Sequence, residues 1–191
     1  KGKICGQYVT SVLAKRMAIK SGFEEALMLD PQGYVAEGTG ENIFVVKNGR
    51  IITPPTSAGA LEGITQDSIR VIATDLGFGY REANLLRSDL YTADEFFLTG
   101  TAAEVIAAVK LDNRLIGDGK PGPITRQLGA AMQRRLYANA PGAELAVTVG
   151  HDRSARRQDR VRLGRHAHRE QLTVAVQLGA AAKAARDLAR R

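Results

Sequence analysis

A chain of 191 residues is long enough to form one domain with a sizeable hydrophobic core. It contains no run of about 18 apolar residues and no signal-peptide pattern at its start, so we expect neither a membrane span nor a secretory leader. The single cysteine, Cys5, excludes an intramolecular disulfide and favours a reducing cytoplasm, and we expect it to pack rather than to react.

The net charge of +7 is confined to residues 151–191, because residues 1–150 hold 16 Lys and Arg against 16 Asp and Glu. This basic segment has no aromatic side chain on which bases could stack, so specific nucleic-acid binding is not expected. Nonspecific binding of polyanions by a non-catalytic fragment stays open as an alternative. His166 and His168 lack further ligands at suitable spacing, so no metal site is predicted.

The first third of the chain predicts a helix followed by short strands. Residues 9–21 form an amphipathic pattern that ends at a glycine. The apolar side of this helix carries Val9, Val12, Leu13, Met17 and Ile19. An apolar run at 25–29, strands at 34–37 and 42–47, a hairpin turn at Asn48-Gly49 and a return strand at 50–53 follow.

The rest of the chain mixes helices and hairpins. The predicted elements are a helix at 64–76, a strand at 80–84, a helical turn at 88–93, a strand at 95–99, a hairpin of 105–111 with 114–116, and a helix at 123–137. Because strands and helices do not alternate as βαβ units, we expect an α+β domain over residues 1–138. Residues 139–191 are expected to form a basic tail of low periodicity, in which the alanine-rich stretch 172–190 favours a short helix.

Four short motifs carry the functional signal. They are Lys3-Ile4-Cys5-Gly6-Gln7-Tyr8, Glu37-Gly38-Thr39-Gly40-Glu41-Asn42-Ile43-Phe44, Leu61-Glu62-Gly63-Ile64-Thr65-Gln66-Asp67 and Thr99-Gly100-Thr101-Ala102-Ala103-Glu104. Their order and separation resemble the class IV aminotransferases, which depend on pyridoxal 5'-phosphate (PLP) and have the D-amino acid aminotransferase-like fold (fold type IV). Within this family, the chain resembles the branched-chain amino acid aminotransferases in particular. The resemblance implies the large C-terminal domain of that fold.

By this resemblance Lys3 is the Schiff-base lysine, which also carries a proton between the substrate and the cofactor. Tyr8 corresponds to the tyrosine that bonds the phenolic oxygen of PLP. Glu37 corresponds to the carboxylate that pairs with the pyridine nitrogen and keeps the ring protonated as an electron sink. Glu41 is the competing carboxylate in the same motif, and Glu41 and Asn42 are expected to fix the turn.

The other two motifs correspond to the phosphate and substrate sites. Gly63, Ile64 and Thr65 lie at the predicted start of a helix, where backbone N–H groups attract a phosphate. The resemblance places Leu61 against the pyridine ring. It makes Thr101 a second phosphate ligand, and it makes the Thr101-Ala102 backbone the site for the substrate carboxylate.

The family resemblance implies transamination of Leu, Ile and Val with 2-oxoglutarate by a cytoplasmic homodimer. A D-amino acid aminotransferase and an aminodeoxychorismate lyase of the same fold stay open as alternatives. In the family a smaller domain precedes the cofactor lysine and closes over the site. The sequence begins two residues before that lysine, so a catalytically incompetent fragment is also open.

Overall fold

The computed structural model describes residues 2–137 and 174–178. Within these ranges four helices and nine strands form, after a turn of 3-10 helix at Cys5–Tyr8. In chain order they are α1 Val9–Lys20, β1 Glu25–Leu29, β2 Val35–Gly38, β3 Asn42–Lys47, β4 Arg50–Thr53, α2 Ile64–Asp75, β5 Gly79–Glu82, α3 Arg87–Tyr91, β6 Glu95–Gly100, β7 Glu104–Leu111, β8 Arg114–Leu115, α4 Pro123–Tyr137 and β9 Val174–Leu178.

The strands of the described residues form one mixed sheet. Its order is β2-β1-β9-β7-β6-β3-β4-β5, with β8 paired to β7. All these neighbours run antiparallel except β4 and β5, which are joined through α2 and run parallel. The predicted α+β fold class is therefore confirmed.

Both faces of the central strands are buried. Along β3, Ile43 and Val45 belong to one apolar cluster, while the alternating Phe44 belongs to the other, which α2 and α4 cover. The Phe44 ring stacks on Phe97 of β6, with 4.8 Å between the ring centroids and 6° between the ring planes. This two-sided burial explains why residues 43–46 form a continuous apolar run rather than an alternating one.

Most predicted elements are confirmed within a few residues. The bounds of β3, β4 and α4 coincide with the prediction, and the hairpin turn at Asn48 and Gly49 has the positive φ angles that such turns require, 49° and 71°. Asp112 and Asn113 likewise have positive φ in the β7–β8 hairpin. Residues 151–170, predicted to belong to a basic tail of low periodicity, lie outside the described residues.

The helix predicted at residues 9–21 forms, but its apolar side does not face the core of the described chain. Its apolar side, with Val9, Val12, Leu13, Met17 and Ile19, is 52–65% exposed. The opposite side, with Ser11, Ala14 and Ala18, is buried, and both alanines pack against Ala26 of β1. These small side chains let the helix lie close to the strand, so amphipathicity alone points to the wrong face. Cys5, expected to pack, is exposed.

The helix expected within 172–190 is also wrong where the structure describes it. Residues 174–178 form β9, which pairs antiparallel with β1 on one side and with β7 on the other. A strand there satisfies backbone groups that β1 and β7 would otherwise leave unpaired on those edges. The tail boundary at residue 138 stays a prediction, but one segment of that tail lies inside the sheet.

Within the described ranges, every helix is too short or too polar to cross a membrane. The same residues contain no group of three or more His, Cys, Asp and Glu side chains that could hold a metal ion. His166 and His168 lie outside them.

Candidate functional site

Three of the four motifs meet at one end of the sheet. Asn42 at the start of β3 pairs with Thr99 near the end of β6, which brings the turn at 38–41 beside the turn at 100–103. A Cβ atom added to Gly100 would lie 3.6 Å from the carbonyl oxygen of Gly40. The start of α2 joins them through Gly63, because the same addition there would lie 2.1 Å from Asn42 Oδ1.

Glu37 and Leu61 are in direct contact. The Leu61 N–H donates to Glu37 Oε2 at 2.9 Å, which fixes the half-buried carboxylate at the end of β2. The Leu61 carbonyl accepts from Asn42 Nδ2 at 2.8 Å. Both backbone polar groups of Leu61 are therefore held by side chains of the second motif.

The start of α2 has a geometry suited to an anion. Gly63 is the N-cap residue, and its N–H donates to Gln66 Oε1 at 3.4 Å. Ile64 is 84% exposed, whereas Thr65 is half-buried. The first N–H groups of a 12-residue helix have no intrahelical acceptor and carry the positive end of its dipole.

Thr101 and Ala102 are exposed in the turn between β6 and β7. This turn is closed by the Ala103 N–H, which donates to the Gly100 carbonyl at 3.1 Å. Thr99, just before it, is fully buried, and among the residues described its Oγ1 is the buried side-chain atom that lacks a hydrogen-bond partner.

Lys3 and Tyr8 belong to the first motif, which precedes α1. Lys3 is exposed before the 3-10 turn, and the half-buried Tyr8 caps the N-terminus of α1. Between them, Gln7 lines a cavity of about 260 Å³ that Glu37 also lines. Glu37 is thus bonded to Leu61, and Asn42 contacts both Leu61 and Gly63, while the approach of Lys3 and Tyr8 to these residues stays a prediction.

Glu25 is a buried acid that the sequence did not single out. It is 0% exposed in β1, pairs with the Lys15 ammonium of α1, and accepts hydrogen bonds from the Thr39 hydroxyl and the Ala26 N–H. Burial alone would raise the pKa of Glu25, but the Lys15 charge and these hydrogen bonds outweigh it and lower the pKa. The network ties α1 to the turn that follows Glu37.

Asn42 was expected only to fix its own turn, but it reaches Leu61, 19 residues further along the chain. Glu41 Oε2 accepts from the Gly40 N–H within the turn at 3.0 Å. A polar residue at the head of the apolar run 43–46 was the one available signal for Asn42, because a buried amide needs partners.

The model of the amino-transferase class IV family matches residues 3–111, and the chain belongs to this family. It is 55% identical over 139 residues to the probable branched-chain-amino-acid aminotransferase of Aquifex aeolicus, covering 72% of this chain and 43% of that protein. It is 49% identical over 131 residues to the branched-chain-amino-acid aminotransferase of Pseudomonas aeruginosa, covering 69% and 42%.

Solved structures agree, and they confirm the predicted class IV aminotransferase fold. The branched-chain amino acid aminotransferase from Thermobaculum terrenum in its PLP form has a TM-score of 0.69 at 41% identity, over 71% of this chain and 45% of that one. The Escherichia coli branched-chain amino acid aminotransferase has a TM-score of 0.65 at 41% identity, over 70% and 44%. The chain thus spans less than half the length of the relatives it matches.

Proposed function

We propose that this chain binds PLP and serves an aminotransferase that acts on the branched-chain L-amino acids Leu, Ile and Val with 2-oxoglutarate. The contact of Glu37 with Leu61, just ahead of α2, carries the proposal. Ile64 follows Leu61 by three positions, so the helix start lies within about 11 Å of Leu61. A carboxylate and a helix N-terminus at this separation suit a protonated pyridine ring that bears a phosphate.

The residues present fit this cofactor. Glu37 would hold the ring nitrogen, Leu61 would pack on the ring, and Tyr8 would bond its phenolic oxygen. Gly63, Ile64, Thr65 and Thr101 would hold the phosphate, and Thr101 and Ala102 the substrate carboxylate. When bound, PLP supplies an electron sink for the negative charge that develops at the substrate α-carbon.

Lys3 is the residue to which we assign proton transfer. The Lys3 amine would hold the cofactor covalently, and during the reaction Lys3 Nζ would take the proton from the substrate α-carbon. Lys3 is exposed four residues before Gln7, which lines a cavity together with Glu37, and this proximity along the chain supports the assignment.

The choice of substrate rests on the relatives, whose names specify branched-chain amino acids. We also propose a homodimer in the cytoplasm. The exposed apolar side of α1 supports an association surface, and sedimentation velocity would show a monomer if the dimer is wrong.

A cofactor-labelling experiment tests the proposal. The protein is mixed with PLP, the visible absorbance band of a lysine-bound cofactor is recorded, and borohydride reduction followed by peptide mass spectrometry locates the label. We expect the label on the peptide that contains Lys3, and loss of band and label in Lys3→Ala. Addition of L-leucine should bleach the band, and D-alanine should not.

Lys20→Ala is the matched control, since Lys20 is an exposed lysine at the end of α1. It should keep the band and the label. A Lys3→Ala protein that kept both would refute the assignment of Lys3, and a wild-type protein without any band would refute cofactor binding by this chain. Bleaching by D-alanine in place of L-leucine would favour a D-amino acid aminotransferase.

A further inference from the structure

We propose that Asn42 is a positioning residue of the cofactor site, which holds the segment from Leu61 to Gly63 against Glu37 and so couples the ring end of the site to its phosphate end. This inference rests on the proposed function, because it assigns a role toward PLP. Its geometric basis, however, lies wholly in the contacts of this chain.

Asn42 stands on a rigid support. It is the first residue of β3, a strand paired with β4 on one side and β6 on the other, and only 7% of the residue is exposed. Its Cα pairs with that of Thr99 in β6. A short, buried side chain on such a strand has little conformational freedom. The groups that bond to Asn42 are therefore held at a fixed position relative to the sheet.

Asn42 makes two different contacts with the segment. Its Nδ2 donates to the Leu61 carbonyl at 2.8 Å, and its Oδ1 occupies the space in which a Cβ atom of residue 63 would lie. The absence of a side chain at Gly63 is thus what allows the amide to reach beneath the helix start. The two contacts together hold the backbone of residues 61–63 in place relative to β3.

Glu37 completes the arrangement from the other side. Its Oε2 accepts from the Leu61 N–H at 2.9 Å, so Leu61 is held at its N–H by Glu37 and at its carbonyl by Asn42. The carboxylate assigned to the ring and the helix start assigned to the phosphate therefore meet through one residue. A shift of Leu61 would change the direction of the Glu37 carboxylate and the place of α2 together.

Two variants of Asn42 isolate this role. Asn42→Ala removes both contacts, whereas Asn42→Asp keeps the size but offers an acceptor to the Leu61 carbonyl, which cannot donate. Thr125→Ala is the matched control. Thr125, at the start of α4, is also a buried polar residue, but its hydroxyl donates to Glu95 of β6, which pairs with Val46 near the opposite end of β3 from Asn42. All proteins are compared at a temperature at which each is folded.

The first measurement is the dissociation constant for PLP, titrated by absorbance. We expect both Asn42 variants to bind PLP about five- to tenfold more weakly than wild type, the loss that corresponds to one hydrogen bond in the folded site. Thr125→Ala should lower thermal stability but leave the PLP dissociation constant within about twofold. Equal affinity in wild type and the Asn42 variants, or equal weakening in Thr125→Ala, would overturn the proposal.

The second measurement does not need the cofactor. Amide hydrogen exchange of the peptide that contains Leu61 and Gly63 should be faster in both Asn42 variants and unchanged in Thr125→Ala. Unchanged exchange in the Asn42 variants would refute the positioning role even if the chain binds PLP. Faster exchange in a protein that never bound PLP would instead uphold the positioning and refute the proposed function.

Discussion

At the scale of single residues, the buried acid Glu25 links α1 to the turn that follows Glu37, a connection that none of the four motifs indicates. It pairs with Lys15 of α1 and holds Thr39 in the turn after Glu37. Removal of one partner of such a network leaves the other groups without their bonds in a buried place, which is costly. The pair therefore contributes to the order of the turn as well as to stability.

Glu25 makes stability depend on pH. Because its folded pKa lies below the ordinary value of 4.5, its contribution is fully present above that value and is lost as pH falls through the folded pKa. We expect Glu25→Gln to lower the free energy of unfolding at pH 7 by about 2 kcal/mol, and this difference from wild type should shrink steadily below pH 4.5. Urea unfolding at pH 7, 5, 4 and 3 measures it. Glu62→Gln, at an exposed position, is the control; a difference that stayed constant down to pH 3 would contradict the role of Glu25.

Some residues of the candidate site could be predicted from the sequence, whereas the contacts between distant residues could not. The four motifs pointed to Glu37, Leu61 and Gly63, and the structure bonds Glu37 to Leu61 directly and links Leu61 to Gly63 through Asn42. The bonds from Glu25 to Thr39 and from Asn42 to Leu61 join residues 14 and 19 positions apart. No local pattern specifies such partners, because they depend on how neighbouring strands and loops stack.

At the scale of helices and strands, local sequence patterns predict where an element begins and ends better than they predict which of its faces is buried. The bounds of β3, β4 and α4 follow from apolar runs and turn residues a few positions apart. The direction in which α1 faces does not, because the residues that it buries are small and those that it exposes are large. Burial is decided by the surface that a helix meets, here the close approach to β1.

The start of α4 gives a prediction at this scale. Glu95 of β6 accepts hydrogen bonds from the Ile124 and Thr125 N–H groups, at 2.9 and 2.7 Å, where a carboxylate also favours the helix dipole. A Cβ atom on residue 122 would lie 2.0 Å from Glu95 Cδ. We expect Gly122→Ala to lower the free energy of unfolding by about 1–3 kcal/mol, since it displaces this cap.

Gly129→Ala, within α4, is the control for Gly122→Ala. An added Cβ there would lie 3.8 Å from Val105 Cβ, an ordinary contact. Alanine in mid-helix should raise the free energy of unfolding by up to about 1 kcal/mol. Chemical denaturation followed by circular dichroism compares the two variants, and a Gly122→Ala protein at least as stable as Gly129→Ala would show that the Glu95 cap does not matter.

At the scale of the whole molecule, the sheet is completed by a strand distant in sequence. β9 lies between β1 and β7, so strands from the beginning and the middle of the chain are joined through residues 174–178. A strand with a neighbour on each side is not an edge strand, so its backbone N–H and C=O groups have partners on both sides. Within the described residues, β9 is the strand whose pairing joins β1 and β2 to the rest of the sheet.

Val176 provides the test, because it pairs with Glu25 of β1 and with Leu111 of β7. Proline removes a backbone donor and is excluded from central strands, so we expect Val176→Pro to lower the melting temperature by at least about 5 °C and to speed amide exchange in β1 and β7. Val176→Thr keeps the N–H and the β-branched shape and should change neither. If Val176→Pro melted and exchanged like wild type, β9 would contribute nothing to the sheet.

The sequence by itself determined the family, the four motifs and the order of most helices and strands, because turn residues and apolar periodicity act over a few neighbouring positions. Only the tertiary structure decided that Leu61 is held by Glu37 and Asn42, that α1 turns its large apolar side chains outward, and that residues 174–178 enter the sheet. The physical reason is that these features depend on which strands become neighbours and in what register, which is settled by the packing of the whole chain.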